Sequence, residues 1–163
     1  GGGVEHKSER SGSQARVKLS ALDAIQFPFV GSKEGYRWEV KLTDQLPLSL
    51  HIKTGASENQ IDLSGLNITQ LKLETGASRT TINLPAYCNF TKVEVHAGAA
   101  EVILRVPDGV ATRIQSKGGL ASVKIDSTRF VNNGSVYESV GFETASNRVE
   151  ILAEVGVGSI EIN

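Results

Sequence analysis

The feature that most restricts this chain is a fivefold internal repeat. Segments of 15 residues beginning at Leu50, Leu71, Val93, Thr112 and Val149 superimpose: LHIKTGASENQIDLS, LKLETGASRTTINLP, VEVHAGAAEVILRVP, TRIQSKGGLASVKID and VEILAEVGVGSIEIN. Their starts lie 21, 22, 19 and 37 residues apart. A repeat of this length marks stacked units that cannot each bury an apolar face alone. Apolar residues alternate on both sides of a glycine-rich centre. The first arm gives Leu50 and Ile52, Leu71 and Leu73, Val93 and Val95, Ile114, then Val149 and Ile151. The second gives Ile61 and Leu63, Ile82 and Leu84, Leu104 and Val106, Val123 and Ile125, then Ile160 and Ile162. A period of two is the signature of a strand with one buried face. The other parity carries His51, Lys53, Lys72, Glu74, Glu94, His96, Arg113 and Glu150, a solvated face.

The centre of each segment reads as a small-residue turn, with Gly55, Gly76, Gly98, Gly118, Gly119, Gly156 and Gly158 as its structural glycines. Together these features predict an all-β, single-domain parallel β-solenoid, β-helix-like, of five to six coils with a 19–22-residue period. Coils in register would lie about 4.8 Å apart. An antiparallel sandwich with hairpins at each glycine turn is the competing layout. The expected organisation is a flexible linker or expression remnant over 1–14, an N-terminal cap over 15–47, regular coils over 48–126, an insertion over 127–148 and a last coil over 149–163. In the cap, Val17, Leu19, Ile25 and Phe27 read as a degenerate coil, Trp38, Val40 and Leu42 as a strand, and Phe27-Pro28-Phe29 with Trp38 as an apolar plug. Ser159–Ile162, guarded only by Glu161, is expected to expose a sheet edge.

Composition narrows the function. The formal charge is -1, without the basic excess of a nucleic-acid binder. The single cysteine, Cys88, cannot form an internal disulfide and reads as a small buried hydrophobe. No apolar run is long enough to span a membrane, so any anchor is expected outside these residues. Of the histidines, His6 falls in the polar start, while His51 and His96 fall at outward positions that are not equivalent in the repeat. No nucleophile elbow, phosphate loop or carboxylate cluster is legible, because outward Asp62 and Glu161 share their repeat position with Asn83, Arg105 and Lys124. The expectation is a protein that is not an enzyme, with no catalytic residue, metal or cofactor.

Residues 107–162 resemble the C-terminal domain of LiaF-like proteins, the cell-wall-active antibiotic response family, and the related toast-rack putative adhesin repeats. The motifs are Gly118-Gly119-Leu120-Ala121-Ser122-Val123, the stretch from Tyr137 to Asn147-Arg148, and Gly156-Val157-Gly158-Ser159-Ile160, with the Gly-Ala-Ser turns at 55 and 76 fitting the same pattern. The resemblance covers 38–163 and, more loosely, 15–37. It departs at Ala97-Gly98-Ala99-Ala100 and in the polar stretch 127–135. It implies a soluble domain tethered to a bacterial membrane, on a side the sequence leaves open, that acts in envelope stress sensing by engaging a membrane sensor kinase or another envelope protein. Asn147 would shape the insertion through backbone hydrogen bonds. Arg129, Phe130, Tyr137 and Phe142 in the insertion are the candidate partner-binding residues, since aromatic and Arg side chains make strong contact anchors; the alternative is that Phe130, Tyr137 and Phe142 pin the loop to the solenoid. The alternatives are a self-assembling scaffold, with homo-oligomers, and a surface adhesin.

Overall fold

A computed structural model describes residues 4–21 and 37–163. The chain divides into two compact units, 1–41 and 42–163. In the first, β1 (Val4–Ser11) and β2 (Gln14–Ala21) pair antiparallel, from Val4 with Ala21 to Ser11 with Gln14. Gly12, at φ 59, supplies the left-handed residue of a two-residue turn. Residues 4–14, within the stretch expected as a flexible linker, thus lie in this hairpin: a polar segment with a Gly-Ser turn can form a ladder without burying a core. Val17 and Leu19 are exposed there. Ile25, Phe27, Pro28 and Phe29 lie outside the described residues. Trp38, Val40 and Leu42 are exposed and in no strand, so alternation alone did not make them one.

The second unit is built around long strands. Its elements are β3 (Leu48–Thr54), β4 (Ser57–Asp62), β5 (Ile68–Asn83), β6 (Phe90–Arg105), β7 (Ala111–Ile125), β8 (Val131–Asn132), β9 (Tyr137–Glu138) and β10 (Arg148–Ile162). The sheet order is β3-β5-β6-β10-β7-β9-β8, with β4 also paired to β5. Pairs among β3 to β7 and β10 are parallel, whereas β7–β9 and β8–β9 are antiparallel. The all-β expectation holds, but the sheet is mixed and open.

β5, β6 and β10 each change their buried parity at a glycine. In β5 the buried side chains are Leu71, Leu73 and Thr75 before Gly76, then Thr80 and Ile82 after it. A straight strand would send these two sets to opposite faces. Here Leu71 and Leu73 from one side and Ile82 from the other enter one cluster with Val93, Val95, Val102, Leu104, Ile151 and Ile160, because the strand turns a corner at the glycine. The corners stack closely. A Cβ on Gly156 would meet the carbonyl of Gly98 at 3.0 Å. Gly158, at φ 119, has no room at all, since a Cβ there would run into the carbonyl of Ala100. Only glycine combines that φ with that approach.

Two expectations are corrected by the ladder. First, β10 does not follow β7 in the stack but lies between β6 and β7. Ser159–Ile162 is thus paired on both sides, to β6 and to β7, and is no edge. Second, Val93 pairs with Ile151, and Ile151 with Ile114. The fourth and fifth segments therefore align with the first three from Ile114 and Ile151, two residues beyond Thr112 and Val149. A shift of two preserves parity, so the inward residues were read correctly while the frame was not. One consequence is that Asp62, Asn83 and Arg105 share a row, whereas Glu161 pairs with Ile103 and Lys124 in another.

The corner interior changes along the stack. At the β3–β4 end it is filled by hydroxyl and amide groups. Thr54 Oγ1 and Thr75 Oγ1 lie 2.9 Å apart, Thr75 Oγ1 donates to Ser78 Oγ at 2.7 Å, and Asn59 Nδ2 donates to Thr80 Oγ1 at 2.9 Å. Further along, the same space is taken by Ala97, Ala100, Val102 and Val155, all buried.

Candidate functional site

Outward side chains of the first arm form rows across the strands. One row runs Lys53, Glu74, His96, Glu154 and Lys117. The next runs His51, Lys72, Glu94, Leu152 and Gln115. Opposite charges on adjacent strands pair across the ladder. Glu74 is the hub: Lys53 Nζ lies 2.7 Å from one oxygen, and Lys72 Nζ at 2.9 Å and His51 Nε2 at 3.0 Å share the other. Hydrogen bonds from Lys53, then Lys72 and His51, hold its carboxyl down at about 2. Lys92 similarly lowers Glu94. His96 Nδ1 lies 3.1 Å from Glu154. Two shallow depressions follow this face, one lined by His96, Lys117 and Glu154, the other by Lys53, Lys72, Glu74 and His96. Glu74, Glu94 and Glu154 each lie beside a basic side chain, which gives the face an ordered charge pattern. Among the described residues, no group of three or more His, Cys, Asp or Glu side chains is placed to hold a metal ion.

The four insertion residues are placed differently from one another. Phe130 is fully buried and belongs to the core cluster. Phe142, on a short 3-10 turn over Phe142–Thr144, is buried beneath the Arg113 guanidinium, 4.2 Å from the ring centroid. Tyr137, half-buried on β9, packs against the core where it pairs with Ile114. Arg129 donates to the carbonyls of Val106 at 2.8 Å and Pro107 at 3.1 Å. All four side chains thus fasten the insertion to the stack, and in this arrangement neither phenylalanine is available to another molecule. Apolar residues in a polar loop signal burial as readily as contact. Asn147 does bond the backbone: its Oδ1 accepts from the Cys88 amide at 3.2 Å. Cys88 itself is buried, and burial pushes its thiol up.

The exposed apolar side chains lie elsewhere. Ala77, Ala99, Val157 and Leu120 form one row along the outside of the corners. Val157 is 53% exposed and Leu120 is 85% exposed. Sequence parity had marked the corner only as a turn, and the growth from Ala to Val to Leu along it emerges once the strand order is known. In the insertion, Val140 is also exposed.

The family model described as the N-terminal domain of toast_rack, DUF2154, matches residues 3–126. The chain belongs to the toast-rack family. The match takes in the β1–β2 hairpin and the strands through β7, and it ends before the insertion, so two of the motifs behind the sequence resemblance, Tyr137 to Arg148 and Gly156 to Ile160, lie beyond it. Among solved structures, the toast-rack chain is similar to a protein of Clostridium sporogenes ATCC 15579 described as a "putative cell adhesion protein". That likeness has a TM-score of 0.87 at 22% identity and covers 98% of this chain and 75% of the other, so the two share a fold. No curated protein matches the chain. Among the described residues, no helix of the toast-rack chain is long and apolar enough to cross a membrane.

Proposed function

We propose that this toast-rack chain is a non-catalytic protein-interaction domain of a membrane-associated bacterial protein that takes part in envelope stress sensing or signalling. The observation that carries this reading is the outer face of the first arm. Its alternating rows, centred on Glu74 and His96, form a rigid charge pattern on a scaffold whose side chains are fixed by the ladder. Such a surface suits recognition by electrostatic complementarity, which governs specificity and encounter rate. The five parallel rungs support reading the unit as a short parallel solenoid, a scaffold that commonly presents its outer surface to partners. The expected partner is a membrane sensor kinase or another envelope protein. Surface adhesion is the second reading, favoured by the description of the Clostridium sporogenes protein of the same fold.

Photocrosslinking in the native cell tests this. Photoreactive residues would replace His96, Leu120 and Val140, all outward-facing, in the full-length protein. Capture of one discrete envelope protein is the expected outcome. Adducts only with further copies of the chain would replace this reading with a self-assembling scaffold. No adduct from any of the three positions would overturn it.

A further inference from the structure

The two halves of β7 have different neighbours. Both pair with β10 on one side. On the other side, β9 covers only the first half, pairing Ile114 with Tyr137 and Arg113 with Glu138. Tyr137 covers Ile114, which is 0% exposed, and Glu138 forms an ion pair with Arg113. The second half, from Leu120 to Ile125, has no strand beyond it among the described residues. Its inward-facing Val123 is 39% exposed, although Thr80, Val102 and Ile160 in the same row are buried. Lys124 points outward beside it, across from Glu161, whose carboxylate takes a hydrogen bond from Asn163.

We infer that the Leu120–Ile125 edge of β7 is a strand-addition site for an extended segment of a partner protein in which apolar and acidic residues alternate. This rests on the interaction reading above and deepens it. β9 supplies the template: an extended piece of chain with an apolar residue over the inward position and an acid against the outward cation. An added segment would pair the free backbone groups of the edge, place apolar side chains over Val123 and Ile125, and set a carboxylate against Lys124. The outward cation also argues against two β7 edges pairing with each other, since Lys on an edge is a guard against self-association. A stacked second copy is opposed by β9 as well, because β9 occupies the first half of the edge and a full rung would need both halves.

The test uses the full chain and a fluorescein-labelled synthetic peptide alternating valine and glutamate, with a valine–lysine peptide as control. Fluorescence anisotropy and amide deuterium uptake are the readouts. The glutamate peptide is expected to bind, to slow exchange of the amides in 120–125, and to lose about tenfold in affinity with Lys124→Glu, whose site is exposed and whose fold is checked by circular dichroism. Val123→Asp is expected to weaken binding as well. Absence of binding, protection confined to other strands, or equal binding by the lysine peptide would each overturn the inference. So would concentration-dependent self-association that Lys124→Glu abolishes, which would make the occupant a second copy. Should a partner be trapped in cells from positions 96 or 140 and never from 120, this site falls while the interaction reading stands.

Discussion

The two ends of the stack leave their last rung exposed in different ways. At the β3–β4 end the inward residues nearest the corner are polar: Thr54 is hydrogen-bonded to Thr75 of β5, Asn59 donates to Ser57 and to Thr80 of β5, and Ser78 joins Thr75 and Thr80. Water reaching this end meets groups that already have partners. At the β7 end Ile114, Ala121, Val123 and Ile125 are apolar inward residues, with Thr112 and Ser116 as the polar exceptions, and a covering strand does the work where it reaches. Ile114 lies under β9 and is buried, while Val123 lies beyond it and is not. An open parallel stack must finish both ends, and the difference shows two chemically distinct solutions, one of them incomplete.

Substitutions can separate these solutions. Ile114→Ala removes a buried side chain beneath Tyr137 and should cost about 3–4 kcal/mol in urea unfolding. A loss below about 1 kcal/mol would mean that β9 does not seal that half. Thr80→Val keeps the shape of a fully buried residue but removes the hydroxyl that accepts from Asn59 and lies beside Ser78, and since both keep other partners about 1 kcal/mol of destabilisation is expected by the same measurement. A neutral result would show that the polar end does not depend on its network. Val123→Ala should cost less than about 1 kcal/mol, because the site is already open to water.

The smallest effect concerns the outer face. The Glu74 carboxyl is held near 2, below the value of about 4.3 for an unfolded chain. A depressed pKa contributes stability that is present above pH 4.3 or so and is lost as pH falls towards 2. Melting temperatures of the Glu74→Gln variant should therefore fall less steeply than wild type across that window. Parallel curves for the two proteins would remove Glu74 from the acid response. Because the group faces solvent, the difference should shrink at high salt.

Much of this was legible in the sequence, and the limits have physical causes. Inward and outward parity was readable because burying one face of a strand forces alternation, and Leu71, Leu73, Ile82 and Leu84 all follow it. The glycine corners were readable because close stacking excludes a Cβ. Strand order was not, since placing β10 between β6 and β7 depends on pairings between residues such as Arg148 and Phe90 that no local pattern encodes. The choice between contact and anchoring at Phe130 and Phe142 is not legible for a related reason: an aromatic in a loop looks the same in sequence whether it faces a partner or its own core. The open half of β7 was hidden by the wrong order, which assigned the bare edge to Ser159–Ile162.

The position of β10 has a consequence for how the molecule assembles. In an ordinary repeat protein each unit docks on the one before it, so structure can spread along the chain one unit at a time. Here β6 and β7 are not partners of each other, and the rung that joins them comes later in the chain than both. Without it, each would present a bare ladder edge, with apolar side chains open to water. Folding of this unit is therefore expected to be concerted and slow for its size, governed by closure of the long connection over residues 126–147. An interrupted chain would be a target for chaperones, or for a β10 strand donated by a neighbouring copy.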